Sequence, residues 1–182
     1  HNPYQVRCLK NLIEKNNFNF EGENFTKNIL DQFNKSDVVL LSTYWEDQDL
    51  SRLKEIILLI KQKNKKVIVV NQGILLETTT KYNFNPLDYF VYLNNRLPNK
   101  KDLLNIEKEV YQKLDFNKKR LSKNYKLKEI SNEANINYLD LKQLQCDKSS
   151  NSCKLMTPEG YKIYWDQGHN TYEGADYLGK RM

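Results

Sequence analysis

Two short apolar runs with an amphipathic segment between them constrain this chain more than any other feature. Residues 37–42 and 66–71 are strand-length runs rich in valine, leucine and isoleucine, which is typical of strands buried on both faces. Residues 49–63 place leucines and isoleucines on one side of a helix and lysines and glutamates on the other, with Asp49 as a suitable N-cap. The pattern predicts a βαβ unit with parallel strands and a right-handed crossover.

The rest of the chain continues this alternation. A segment rich in threonine, asparagine and aromatic residues, 78–92, predicts a long loop or a short helical lid, whose aromatic side chains either line a site or pin the loop to the core. The other predicted elements are a helix over 25–33, helices over 101–113 and 116–134 with an interruption between them near Asp115, a strand over 136–141, and a helix over about 171–182. Together they predict a doubly wound α/β fold in a single domain over residues 1–182.

Composition excludes several classes of protein. The 182 residues are 39% hydrophobic and 29% charged, as in soluble globular domains, and no run reaches the roughly 18 apolar residues of a membrane span. The net charge of +6 comes from lysines scattered among asparagines and glutamates, so we expect solvated helix faces and no nucleic-acid partner. Because the chain begins at His1 without a signal peptide, we interpret it as a fragment.

Three cysteines are present. Cys146 and Cys153 enclose the polar, turn-forming residues 147–152, which would let the two sulfurs meet at the neck of a hairpin. A disulfide is the preferred interpretation, and it implies an oxidising compartment with Cys8 paired upstream. Two free thiols or a metal-binding pair are the alternatives, although no second Cys or His pair accompanies these two residues. We predict no metal and no organic cofactor.

Asp166 and His169, the only internal histidine, are the strongest candidates for chemistry. At this spacing on a polar loop before a helix, the carboxylate can contact one imidazole nitrogen and leave the other for proton transfer, as in the base half of a nucleophilic triad. The alternative is a surface histidine and an aspartate that only caps the following turn. No Gly-x-Ser-x-Gly or Gly-Asp-Ser element occurs in the sequence.

The order of these features resembles a known family. The chain is similar to the SGNH hydrolase fold, in the version fused behind membrane acyltransferases of the acyltransferase-3 class, which modify cell-surface polysaccharides. The resemblance covers about residues 8–182. The residues that carry it are, in order, the strand from Asp37 that runs into Thr43, Tyr44 and Trp45, then Cys146 and Cys153, and finally Asp166 and His169 with Gly174 and Ala175 behind them.

The resemblance implies a three-layer, flavodoxin-like sheet whose first strand lies upstream and carries a nucleophilic serine. His169 would be general base and then acid, and Asp166 would hold its tautomer. The implied reaction moves an acyl group, commonly acetyl, to or from hydroxyls of a cell-surface polysaccharide such as lipopolysaccharide. Its partners would be a glycan acceptor, an acyl donor and the membrane acyltransferase domain of the parent chain, which would tether this domain on the extracytoplasmic side. The isolated fragment should be inactive.

The chain also departs from the family pattern. Thr43, Tyr44 and Trp45 stand where SGNH enzymes usually carry a Gly-x-Asn-Asp block, so these three residues become candidates for lining the site. Trp45 either packs as core or contacts a sugar ring, and Ser42 is interpreted as a turn residue. Two other functions stay open: a non-catalytic glycan-binding or partner-docking module on the same fold, and a cytosolic flavodoxin-like binding protein with free cysteines.

Overall fold

The structure is a computed structural model that describes residues 30–71, 73–76, 84–114 and 118–182. Cys8, Asp115, the predicted helix residues 25–29 and the loop residues 77–83 lie outside the described residues. The strands are β1 (Val38–Leu41), β2 (Lys66–Val70), β3 (Asn137–Leu139), β4 (Cys146–Asp147) and β5 (Ser152–Cys153); the helices are α1 (Asp47–Gln62), α2 (Pro86–Asn94), α3 (Lys100–Leu114), α4 (Lys118–Glu133), α5 (Leu141–Gln145) and α6 (Tyr172–Gly179). Residues 30–35 are also helical.

The described residues fall into two compact units. The first contains 30–71 and 119–139, with the parallel sheet and most of α4; the second contains 73–76, 84–114, 118 and 140–182.

The sheet of the first unit has the strand order β1-β2-β3, and both neighbouring pairs are parallel. Val39 lies opposite Val67 and Leu41 lies opposite Val69, so the β-branched and leucine side chains of one face are in register. Since α1 connects the parallel neighbours β1 and β2, the predicted βαβ unit is confirmed. The mixed α/β class with a parallel sheet is likewise confirmed.

Packing of α1 on the sheet forms the core of the first unit. The helix buries a face at helical spacing because its apolar residues recur every three or four positions. Each fully buried aliphatic side chain contributes about 1.5–3 kcal/mol relative to exposure. Buried residues of this core include Leu53, Ile56, Ile57 and Ile60 of α1, Val67 and Val69 of β2, and Leu127 of α4.

Several element boundaries differ from the sequence prediction by a few residues, and two of the differences have a clear physical cause. Helix α1 begins two residues earlier, at Asp47, because Glu46 is the N-cap and Asp49 acts from the third helical position, accepting a hydrogen bond from the Glu46 N–H at 2.9 Å. The strand predicted over 136–141 is shorter, because Asp140 caps α5 and diverts the chain into a helix at Leu141.

Four asparagines hold the left-handed backbone conformation at chain reversals. Asn64, Asn95 and Asn135 follow α1, α2 and α4, and Asn151 lies in the turn between β4 and β5, with φ of 57°, 48°, 48° and 48°. Asparagine tolerates this region better than other non-glycine residues because its short amide can bond locally. The reversals therefore form without glycine.

The second unit packs α2, α3, α5 and α6 around a short hairpin. Strands β4 and β5 pair antiparallel, with Cys146 opposite Cys153, and the structure joins these two residues by a disulfide. Glu107 of α3 is buried and accepts hydrogen bonds from the Leu155 N–H at 3.1 Å and the Lys154 ammonium at 3.2 Å. These bonds hold the chain after β5 against α3.

None of the described helices combines the length and apolar character that crossing a bilayer requires.

Candidate active site

A tight antiparallel excursion before α6 presents the Asp166–His169 pair. Tyr164 and Asn170 form an antiparallel bridge, and the Trp165 N–H donates to the His169 carbonyl at 2.8 Å. We call residues 164–170 the dyad loop. The buried Tyr164 ring anchors one end, and its hydroxyl donates to Gln145 at 2.6 Å. The loop is thus a short ribbon fixed to the core of the second unit.

Within the dyad loop, Asp166 and His169 meet as their spacing predicts. One carboxylate oxygen, Oδ1, accepts the N–H groups of Gly168 and His169, each at 2.8 Å. The other oxygen, Oδ2, lies 2.8 Å from Nδ1 of the imidazole. A proton on Nδ1 completes that bond and makes Nε2 the acceptor, which is the tautomer that a general base needs.

The electrostatics of the pair keep Asp166 ionised. The Gly168 N–H, followed by the ring and backbone bonds from His169, lowers the pKa of Asp166 from 3.8 to about 2. An ionised carboxylate orients the imidazole and stabilises the imidazolium that proton transfer creates. The His169 side chain is 85% exposed and that of Asp166 is 29% exposed, so the ring is accessible to a reacting group.

Asn85 holds the start of the dyad loop, a role that no local sequence signal marks. Its side chain is buried, and Nδ2 donates to the carbonyls of Tyr164 at 3.1 Å and Trp165 at 3.2 Å. Its Oδ1 accepts the first amides of α2, those of Leu87 and Asp88. An asparagine before proline is a recognisable helix start, but its bonds to residues almost eighty positions away carry no sequence signal.

Two further contacts hold the dyad loop. The Leu76 N–H donates to the Gln167 carbonyl at 2.7 Å. On the other side, α6 approaches the backbone of Ile163 so closely that a Cβ on Gly174 would lie 2.1 Å from the Ile163 carbonyl oxygen. Only glycine fits there, which gives a physical reason for Gly174 behind the Asp-x-x-His spacing.

The residues predicted after β1 belong to the first unit. Trp45 is 1% exposed, and its indole Nε1 donates to the Val70 carbonyl at 2.8 Å, which supports the packing alternative. Thr43 is partly buried, and Tyr44 is 53% exposed. These residues follow the carboxyl end of β1, where ligands bind in parallel sheets.

Lys123 of α4 holds the segment that follows β1. Nothing in the local sequence distinguishes this lysine from its neighbours. Its side chain is buried, and the ammonium donates to the Trp45 carbonyl at 2.8 Å and to Glu46 at 2.9 Å. It also lies 5.7 Å from the centre of the Tyr44 ring. The lysine is one of many in a polar helix, and only the tertiary fold sets it apart.

Comparison with known proteins gives one family and one related structure. The model of the SGNH domain fused to AT3 domains matches residues 8–182. No curated protein matches the chain. The periplasmic domain of a lipopolysaccharide acetyltransferase from Salmonella ser. Paratyphi A superposes with a TM-score of 0.56 at 16% identity. The match covers 87% of this chain and 60% of that domain, so this chain spans less than two thirds of the related structure.

Proposed function

This chain belongs to the family of SGNH domains fused to AT3 domains, and from that premise we propose that it supplies the His-Asp half of a Ser-His-Asp site for O-acyl transfer. The observation that carries the proposal is the 2.8 Å contact between Asp166 Oδ2 and His169 Nδ1. The serine is proposed to lie upstream in the complete protein, and the acceptor is a hydroxyl of a cell-surface polysaccharide.

The residues act in two half-reactions. His169 Nε2 takes the proton of the serine hydroxyl as the oxygen attacks the acyl carbonyl of the donor, then returns that proton to the leaving group. In the second half, Nε2 takes a proton from the acceptor hydroxyl, whose oxygen attacks the acyl-enzyme, and the serine is regenerated. Asp166 stabilises the imidazolium in both halves. With water as acceptor, the same steps hydrolyse the ester.

Two features support an extracytoplasmic site for this reaction. The disulfide between Cys146 and Cys153 is typical of oxidising compartments. The related structure is a periplasmic domain of a lipopolysaccharide acetyltransferase. Fusion to an AT3 domain, as in the family, would tether the site to the membrane and supply the acyl donor.

The test uses the full-length protein, a serine-reactive fluorophosphonate probe and 4-nitrophenyl acetate as a simple acyl donor. His169→Ala should reduce nitrophenolate release by at least about 10³-fold and suppress labelling, with an unchanged melting temperature. Asp176→Asn is the matched control, because Asp176 makes only an exposed ion pair with Lys180 among the described contacts. Unchanged activity in His169→Ala would refute the triad, and a wild-type protein that neither labels nor hydrolyses would favour a non-catalytic module.

A further inference from the structure

The ribbon geometry of the dyad loop places Trp165 beside His169. The bridge between Tyr164 and Asn170 makes Trp165 and His169 the next directly opposed pair, and the Trp165 N–H bonds to the His169 carbonyl at 2.8 Å. Residues joined by such a bond have Cα atoms about 5.5 Å apart, although the return bond is absent here because the His169 N–H donates to Asp166 Oδ1. The side chains of these two residues therefore start from neighbouring points of the dyad loop.

The side chains of Trp165 and His169 are both exposed. Tyr164 is buried, whereas Trp165 is 71% exposed and the His169 side chain is 85% exposed. Fully burying an aromatic ring removes about 150–250 Å² from water, so an exposed tryptophan gives up much of the stability that this residue type can supply. The exposed ring is available to a ligand that approaches His169.

The backbone that carries the indole is fixed at both of its polar groups. The N–H is bound by the His169 carbonyl, and the carbonyl accepts from the buried Asn85 amide at 3.2 Å. An exposed ring on a fixed backbone loses little entropy when a ligand binds. Only the two side-chain torsions of the indole are left to be ordered when a ligand binds.

The chemistry of the site identifies the ligand class. An acceptor hydroxyl must come within about 3 Å of His169 Nε2 to lose its proton, and the remainder of the acceptor then lies over the exposed side chains next to His169. The face of an indole carries negative charge density, which attracts the C–H groups on the apolar face of a pyranose ring. Resting on the proposed function, we propose that Trp165 is the stacking surface for the sugar ring whose hydroxyl is acylated at His169.

The test separates acceptor binding from the acyl chemistry. Full-length protein is supplied with 4-nitrophenyl acetate and methyl glycosides of glucose, galactose, mannose and rhamnose as acceptors. Trp165→Ala should leave nitrophenolate release without glycoside near the wild-type rate, while the acceptor KM of the best glycoside rises about 10-fold. Trp165→Phe, which keeps a flat ring, should recover most of the loss. Tyr161→Ala is the control, because Tyr161 is 56% exposed in the same unit but lies outside the dyad loop.

Each outcome decides the inference. An unchanged acceptor KM in Trp165→Ala overturns it, and so does an equal fall of hydrolysis and transfer, since the tryptophan would then only support the dyad. If the wild-type protein shows no serine-dependent turnover, the proposed function fails. Binding of the same glycosides, measured by saturation-transfer NMR, then decides the inference about Trp165. A signal lost in Trp165→Ala and kept in Tyr161→Ala supports the stacking surface, and a signal kept in both, or absent from the wild type, overturns it.

Discussion

Replacing Gly174 by alanine should destabilise the protein although it improves the helix. Gly174 lies in α6, where alanine is favoured over glycine by about 1 kcal/mol. The new Cβ, however, would lie 2.1 Å from the carbonyl oxygen and 2.6 Å from the Cα of Ile163. Because both neighbours are backbone atoms, neither can rotate away, and the helix would have to retreat by about 1 Å.

The size of the effect follows from these opposing contributions. Overpacking a well-packed contact costs about 1–3 kcal/mol, and we expect the upper end because the clash is with backbone. After the helical gain, the net loss is about 2 kcal/mol, which lowers the melting temperature of a domain of this size by roughly 4–8 °C. Since Ile163 directly precedes the dyad loop, acyl transfer should fall as well.

A second glycine in the same helix provides the control. A Cβ added to Gly179 would meet no atom within 4 Å, so Gly179→Ala should leave the melting temperature unchanged or raise it by about a degree or two. Differential scanning fluorimetry of the two variants in the intact protein measures the difference. If Gly174→Ala melts at or above Gly179→Ala, the close approach of α6 to Ile163 is refuted.

Three other results are expected. Replacing both Cys146 and Cys153 by serine should lower the free energy of unfolding by about 2–3 kcal/mol, because the short loop between them is no longer closed in the unfolded chain. Denaturant unfolding measures the change, and an unchanged midpoint would contradict a structural disulfide. The pKa of Asp166 is lowered from 3.8 to about 2, so the stability from its carboxylate should be present above pH 3.8 and lost as the pH falls through about 2. Carboxyl-detected NMR checks this, and a midpoint near the ordinary value would contradict it. Asn85→Asp keeps the cap of α2 but loses both bonds to the dyad loop and buries a charge, so the free energy of unfolding should fall by at least about 2 kcal/mol. Asn99→Asp is the control, because Asn99 has the same acceptor role at an exposed cap. Its melting temperature, measured by differential scanning fluorimetry, should be nearly unchanged.

Local patterns were enough to predict the βαβ unit and the meeting of Asp166 and His169. In the first case, the apolar period alone distinguishes strand from helix. In the second case, the spacing lets the carboxylate accept local backbone N–H groups and so turn the chain back on itself, and the structure places Asp166 Oδ2 and His169 Nδ1 2.8 Å apart. The catalytic role of the pair stays a prediction, as do the upstream serine and the single-domain organisation.

The supporting contacts could not be predicted, because they join residues distant in sequence. Asn85 reaches the carbonyls of Tyr164 and Trp165, and Lys123 reaches that of Trp45. Backbone carbonyls are present at every residue, so no residue type marks the acceptor. The start of α1 was displaced for a related reason, since an aspartate can cap from the N-cap or from the third position, and only the geometry at Glu46 decides between them.

The four left-handed asparagines have a consequence for the gene. Only 6 of the 182 residues are glycine, well below the roughly 7% of an average protein. Asparagine codons are rich in adenine and glycine codons are rich in guanine, so a genome poor in guanine would exchange glycine for asparagine wherever the fold permits it. At Asn64 and Asn135 the chain reversal requires a positive φ, which asparagine adopts at modest energetic cost. At Gly174 the close approach to the Ile163 backbone leaves no room for a Cβ, so glycine is the residue that fits. Base composition can therefore favour asparagine at these four reversals, whereas the glycine at position 174 is held by the space beside Ile163.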